Sequence, residues 1–347
     1  MKSFIAKKFN SLSNDRLFGD IFKGSLLVFV TKVGATAIGL VTSVIVARWY
    51  GAEVVGIVAL ISSYLSIIAL PAILGTDTSV LRLIPEQIAK YSYLSAFNLY
   101  KKARYLVILL SLVIGIILAF FSGFISEKVF KEPDLTYFFM AASLLLVFRS
   151  LQQFSNQGLR AVNKINAFAY IQVLMPVMNL VLLVILTYFF YDFYNPVYIQ
   201  LFLFVFIAVI GLIIINKAFK EKIEEQDITE NVTYKTILGI SLPMFLTSSM
   251  LVIIGQLATI MVGMFRSAED VGYYAIALRI STLTTFVLLA INTVVAPKFS
   301  ALFNEGKIDD LFYVARKSTK LIFWSVLPLI LIFVFFGKWI IVLLYGS

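Results

Sequence analysis

Nine times along its 347 residues the chain runs for about twenty positions or more with few or no charged side chains. The apolar layer of a bilayer is about 30 Å thick and a helix rises about 1.5 Å per residue, so a run of that length is one crossing. Backbone immersed in lipid has to satisfy its own N–H and C=O groups, which a helix does internally. The runs predict membrane helices at 24–48, 54–75, 104–123, 135–158, 167–190, 196–216, 237–265, 271–296 and 312–336. The expected fold class is therefore all-α: a polytopic membrane protein with about nine transmembrane helices. Composition agrees, with 61% hydrophobic and 14% charged residues, against about 45–50% and 25% in soluble domains.

The flanking charges orient these spans. Lys2, Lys7, Lys8, Arg16 and Lys23 precede the first run, which is too long for a signal-peptide core and lacks a clear small-residue cleavage site. The N-terminus is expected inside. Proposed inner segments then hold 21 of the 29 Lys and Arg, and proposed outer segments hold five: Arg48, Lys128, Lys131, Arg266 and Lys338. That bias is what the positive-inside rule requires. The mixed stretch 78–102 reads as an amphipathic helix on the inner surface, and Trp49, Trp339, Tyr188 and Tyr191 read as interfacial anchors.

A repeat runs through the chain. GAEVVGIVAL from Gly51 and SAEDVGYYAI from Ser267 share five of ten residues at an offset of 216: Ala52/Ala268, Glu53/Glu269, Val55/Val271, Gly56/Gly272 and Ala59/Ala275. The register extends upstream without a gap, through Ser25/Ser241, Leu26/Leu242, Ile38-Gly39/Ile254-Gly255 and Val46/Val262. Six predicted helices precede the charged linker 217–235. Both copies therefore enter the membrane in the same direction, as a parallel repeat. The expected organisation is two parallel repeat lobes: an N-terminal six-helix lobe over 1–216, a cytoplasmic linker over 217–235 and an incomplete C-terminal lobe over 236–347. Equal halves would need about three more helices, so the chain reads as truncated after Tyr345-Gly346-Ser347.

Cys and His are both absent, which removes thiolate nucleophiles, disulfides, His-based triads and ordinary zinc sites. A carboxylate-only enzyme site stays open. The net charge of +10 fits cytoplasmic loops rather than nucleic acid.

Three cations fall inside predicted spans: Lys32 in the first, Arg149 in the fourth and Arg279 in the eighth. A charge at mid-bilayer costs about 2.5–3.5 kcal/mol on insertion scales, so such residues face the bundle interior or water. The nearby acid is Asp77, a candidate salt-bridge partner for Lys32 or an ion site. The arginines would then bond backbone carbonyls at helix breaks. The other reading has unpaired cations lining a wet cleft for an anion, and Arg suits phosphate because its planar fork donates two parallel hydrogen bonds. Gln152, Gln153, Asn156, Gln157, Asn163, Asn166, Gln256, Asn292 and Thr293 gather around the same helices. Interhelical bonding explains most of them, and a sugar-binding cleft would use the same residue types, with Gln256 and Asn292 the candidates. Pro71, Pro176, Pro243 and Pro328 mark kinks.

The two hinges, ILGTDTSVLRLIPE after the second run, APKFSALFNEGKIDDLFYVARKSTK and the terminal GKWIIVLLYGS resemble polysaccharide-biosynthesis membrane proteins. These are the lipid-linked oligosaccharide flippases of the superfamily that includes the MATE drug exporters. The resemblance implies two six-helix lobes around a central cleft lined largely by helices one, two, seven and eight. It implies a polyprenyl-pyrophosphate oligosaccharide as substrate, carried from the inner to the outer leaflet of the cytoplasmic membrane. Glycan polymerases or other surface-polysaccharide enzymes would be its partners. No cofactor is implied beyond coupling to H⁺ or Na⁺. The rivals are an ion-coupled exporter of cationic drugs, which needs acids in the cleft, and a membrane glycosyltransferase or polymerase. The latter would have to use Glu127, Glu132 and Asp134. A non-transporting scaffold is the third.

Overall fold

The computed structural model describes residues 16–224, 230, 232–304 and 306–345. Lys2, Lys7, Lys8, part of the 217–235 linker and Gly346-Ser347 lie outside the described residues. The chain is all-α. Among the described residues, six helices are long and apolar enough to cross a membrane, or up to seven if one bent pair counts as a span.

α1 runs from Arg16 to Ile73. At 58 residues it would span about 87 Å if straight, far more than one bilayer, and it breaks at Gly51 (φ 85°, ψ 171°). Essentially only glycine occupies that region. α2 (Thr76–Lys90) begins after Gly75 at φ 70° and carries Asp77 in its first turn. Its buried face is Thr76, Asp77, Ser79, Val80, Leu83, Ile84 and Gln87. On its exposed side Lys90 donates to Glu86 at 2.6 Å, which holds the Glu86 carboxyl below its ordinary value.

α3 (Tyr93–Phe120) starts at an N-cap where Ser92 Oγ accepts from Ser95 N at 3.1 Å. The expected surface helix 78–102 is thus two elements. The Ser92 cap starts a new helix, and residues 93–102 are the first turns of the third span. Short turns at Ser122–Phe124, Ile125–Phe130 and Pro133–Leu135 follow.

The expected fourth span is also two helices, α4 (Thr136–Leu144) and α5 (Leu146–Ala161), bent by 46°. Ser143 donates back to the Phe139 carbonyl at 2.8 Å, a bond of the kind that bends helices. α6 (Ile165–Phe189), α7 (Asn195–Lys220) and α8 (Tyr234–Phe265) follow expectation to within a few residues. The expected eighth span is broken at Thr282 into α9 (Ala268–Ser281) and α10 (Leu283–Asn304). There Ser281, Thr282, Thr284 and Thr285 each donate a hydroxyl to a carbonyl three or four residues back, loosening the ladder they sit on. α11 runs unbroken from Ile308 to Tyr345. The 312–336 span and the terminal GKWIIVLLY are therefore one helix, with open space around Gly337.

The described residues form two compact units, one within 41–276 and one within 1–40 and 277–347. In the smaller, α10 packs on α11. In the larger, the second limb of α1 supplies Ile57, Leu60, Ile61, Tyr64 and Leu65 to a core with Phe130, Phe138, Phe139, Leu146, Val197, Leu201 and Phe204. Tyr100 stacks on Phe154 at 4.9 Å and lies 5.4 Å from Phe219, and Gly158 makes room for the Tyr100 ring. Tyr191 stacks on Tyr50 at 5.3 Å and donates to the Trp49 carbonyl, so this part of the aromatic girdle is a packed cluster.

The linker is tied down where it is described. Gln87 Nε2 donates to Glu230 Oε2 at 3.3 Å, Ser95 Oγ to Gln87 Oε1 at 2.7 Å and Lys102 Nζ to the Val232 carbonyl at 2.8 Å.

Candidate functional site

Within the larger unit a cavity of about 380 Å³ opens among the second limb of α1, the start of α2, the middle of α5 and α8. Its polar lining is Ser66, Asp77, Arg149, Gln153, Ser248 and Gln256, and its apolar lining includes Ala69, Leu70, Ile73, Phe245, Leu251 and Val252.

The carboxylate in this cavity is already satisfied. Asp77 is buried at the N-terminus of α2, where the helix dipole favours an anion. Its Oδ1 accepts from Thr78 N at 2.9 Å and its Oδ2 from Gln153 Nε2 at 2.9 Å. The cation is not. Arg149 is half-buried. Its guanidinium lies 5.5 Å from the centroid of Phe204 and makes one long contact, 3.5 Å, to Gln152 Oε1. Among the described residues no ion pair is recorded for it. A guanidinium has five N–H donors, so most of this fork is free to receive an anion.

Three successive residues of α1 fasten it to three other helices at this level. Ser62 accepts from Gln200 of α7. Ser63 donates to Gln256 Oε1 of α8 at 2.8 Å. Tyr64 and Ser143 of α4 share a hydrogen bond of 2.7 Å. Gln256 therefore spends its carbonyl on Ser63 and keeps its amide N–H₂ for the cavity. Breaking the Ser63–Gln256 tie is expected to cost little, because membrane hydrogen bonds average about 0.6 kcal/mol in double-mutant cycles. Ser63→Ala and Gln256→Ala, singly and together, should show coupling of about that size in detergent-solubilised unfolding.

Of the residues singled out from sequence, the structure brings Asp77, Arg149 and Gln256 into one cavity. Lys32 lies on the first limb of α1, Arg279 in the last turn of α9 and Asn292 on α10, all exposed and all in the smaller unit. The cavity thus holds one cation and one acid. Gln153 was one amide among many in sequence, and its bond to Asp77 now gives it a definite place. Gln152 donates to Met175 Sδ and Gln157 accepts from Arg160, the interhelical and local uses expected of most such amides. Ser66, Gly75, Phe245 and Ser248 were missed. For Gly75 a signal existed: Gly-Thr-Asp directly after an apolar run is a helix stop followed by an acidic first turn.

A family model described as "Polysaccharide biosynthesis protein" matches residues 21–303. No curated protein matches the chain. Among solved structures, the chain is similar to a ligand complex of the MATE multidrug transporter DinF-BH, at 17% identity and a TM-score of 0.63, covering 93% of this chain and 76% of that one. At that identity the likeness is one of fold.

Proposed function

We propose that this chain, which belongs to the polysaccharide biosynthesis protein family, moves a polyprenyl-pyrophosphate oligosaccharide from the inner to the outer leaflet. The family is one of membrane transporters, with a MATE-like fold here, and not of catalysts. The observation that carries the substrate reading is Arg149: a half-buried cation without an acidic partner among the described residues, in a polar cavity whose own carboxylate is bonded to Gln153 and Thr78. The guanidinium would hold a phosphate oxygen pair through two parallel N–H bonds. The free amide of Gln256 suits a sugar hydroxyl, and the lipid tail would remain in the bilayer.

In this reading nine crossings are arranged as two parallel lobes, 1–216 and 236–347, joined by the 217–235 linker, and they alternate in exposing the cavity to each side. Lys32, Arg279 and Asn292 are further cleft candidates. The N-terminus is cytoplasmic, the membrane is the inner one, and glycan polymerases are the expected neighbours. Export of a cationic drug fits less well, because the acid it needs is already engaged at a helix N-terminus.

Reconstitution tests this directly. The full-length protein in proteoliposomes is expected to translocate a fluorescent polyprenyl-pyrophosphate oligosaccharide faster than protein-free vesicles. Extrusion of a cationic dye without movement of that lipid would overturn the reading.

A further inference from the structure

The two copies of the repeat touch each other at their hinges, within the larger unit. A Cβ on Gly56 would lie 1.7 Å from the Ala268 carbonyl oxygen, and one on Gly272 would lie 1.9 Å from that of Ala52. These are the same residue pairs under the offset of 216, so each copy presents its Ala-x-x-x-Gly to the other and backbone meets backbone. Two more contacts flank the crossing. Gly263 abuts Leu60, with a Cβ there 2.2 Å from Leu60 Cδ2, and Glu132 Oε1 accepts from Ala268 N at 3.0 Å at the start of α9. The cavity lies farther along the same two helices. Ser66 is six residues beyond Leu60, about 9 Å at 1.5 Å per residue, and Gln256 is seven residues before Gly263.

We propose that this crossing is the shut form of a gate on the hinge side of the cavity, and that Glu132 is its latch. The proposal rests on the transport reading above. Among the described residues no salt bridge crosses it, so parting the two hinges separates no ion pair. At the crossing the glycines let backbone meet backbone, Ala268 and Val271 pack beside Ile57, Leu60 and Ile61, and polar ties include the bond from Ala268 N to Glu132 and, a few residues below, the Ser63–Gln256 bond. The packing inside the first copy is of another kind, with the aromatic stack of Tyr100, Phe154 and Phe219 between its helices. Opening would uncover the α9 N-terminus and the four small residues together, giving the cavity an exit on that side.

The chain contains no cysteine, which makes a bridging test clean. Leu60→Cys removes the methyl groups that Gly263→Cys would meet, leaving Phe130 Cδ1 at 3.3 Å as its next neighbour. Ser66→Cys puts a reporter thiol in the cavity lining. In the full-length protein in cell membranes, a membrane-impermeant maleimide added on the hinge side is expected to label the reporter when the 60–263 pair is reduced. Oxidation of that pair should slow labelling at least tenfold. Without the cysteine pair, Glu132→Ala should raise the labelling rate several-fold, and Glu132→Gln, which keeps an acceptor oxygen, should stay near the parent. Labelling unchanged by the bridge, or by Glu132→Ala in protein present at parental level, would overturn the gate and make the crossing a fixed joint. Labelling involves no cargo. If it is blocked by the bridge while surface glycan persists under the same oxidation, the gate stands and the cargo reading falls.

Discussion

Arg149→Gln is expected to cut transport of a pyrophosphate-linked cargo by roughly ten- to a hundredfold, with the protein still present in the membrane. A hydrogen bond to a charged group contributes about 1.5–3 kcal/mol, and each 1.4 kcal/mol is about tenfold in binding. The substitution removes that charge from a position that gives little to the fold: its side-chain contacts are a ring face at 5.5 Å and a 3.5 Å approach to Gln152. Arg149→Lys keeps a point charge but loses the fork, so it should recover part of the activity. Asp77→Asn separates the rival readings. It keeps an oxygen able to accept from Gln153 or Thr78 and removes a charge that a phosphate cargo does not need. Activity near the parent is expected, whereas a cation exporter would lose function. Surface glycan, measured in cells lacking the native protein, reads all three variants.

A large effect on stability is expected at Gly75, where close approach and a left-handed backbone coincide. At φ 70° a residue with a side chain pays about 1–2 kcal/mol for the left-handed conformation. A Cβ there would also lie 2.4 Å from the Ser241 carbonyl oxygen and 2.7 Å from Phe245 N. Both are backbone atoms of α8, so neither can rotate away. Overpacking of that kind costs about 1–3 kcal/mol. Next to it Ser79 and Ser241 share a buried hydrogen bond of 2.7 Å that any retreat of α8 would break. Gly75→Ala should therefore lower the unfolding temperature in detergent and the amount of folded protein in the membrane. Gly239→Ala is the control. It lies inside α8 with nothing within 4 Å of its Cβ position, and exchanging glycine for alanine in a helix is mildly favourable.

The helices were visible in the sequence because lipid imposes one simple requirement, about twenty apolar residues in a row, that needs no knowledge of neighbours. Their interruptions were not. Leu145 and Thr282 are ordinary residues in apolar runs, and the bends depend on hydroxyls of Ser143 and of residues 281–285 turning back onto carbonyls, a choice made in three dimensions. The start of α3 at Tyr93 was hidden because Lys101, Lys102 and Arg104 look like surface charge. In the structure Lys102 bonds the Val232 carbonyl and Arg104 bonds Asn216. The cavity was half legible. Lys32, Arg149 and Arg279 carry the same signal in sequence, an isolated cation in a hydrophobic run, and nothing local says that Arg149 alone shares a cavity with Asp77. The Asp77–Gln153 bond joins residues 76 apart, beyond the reach of any spacing rule.

The mutual approach of Gly56 to Ala268 and of Gly272 to Ala52 has a bearing on origins. Subtract the offset and it becomes one surface meeting a rotated image of itself, the isologous patch by which identical subunits pair about a twofold axis. An ancestor with a single copy of the repeat would have carried everything needed to bind its own twin, with no second protein to recruit. Gene fusion would then have tethered partners that already associated. The difference between Gly51, a glycine-only bend, and Ser267 at the matching position is the kind of divergence that a tether permits once the two sides no longer have to match.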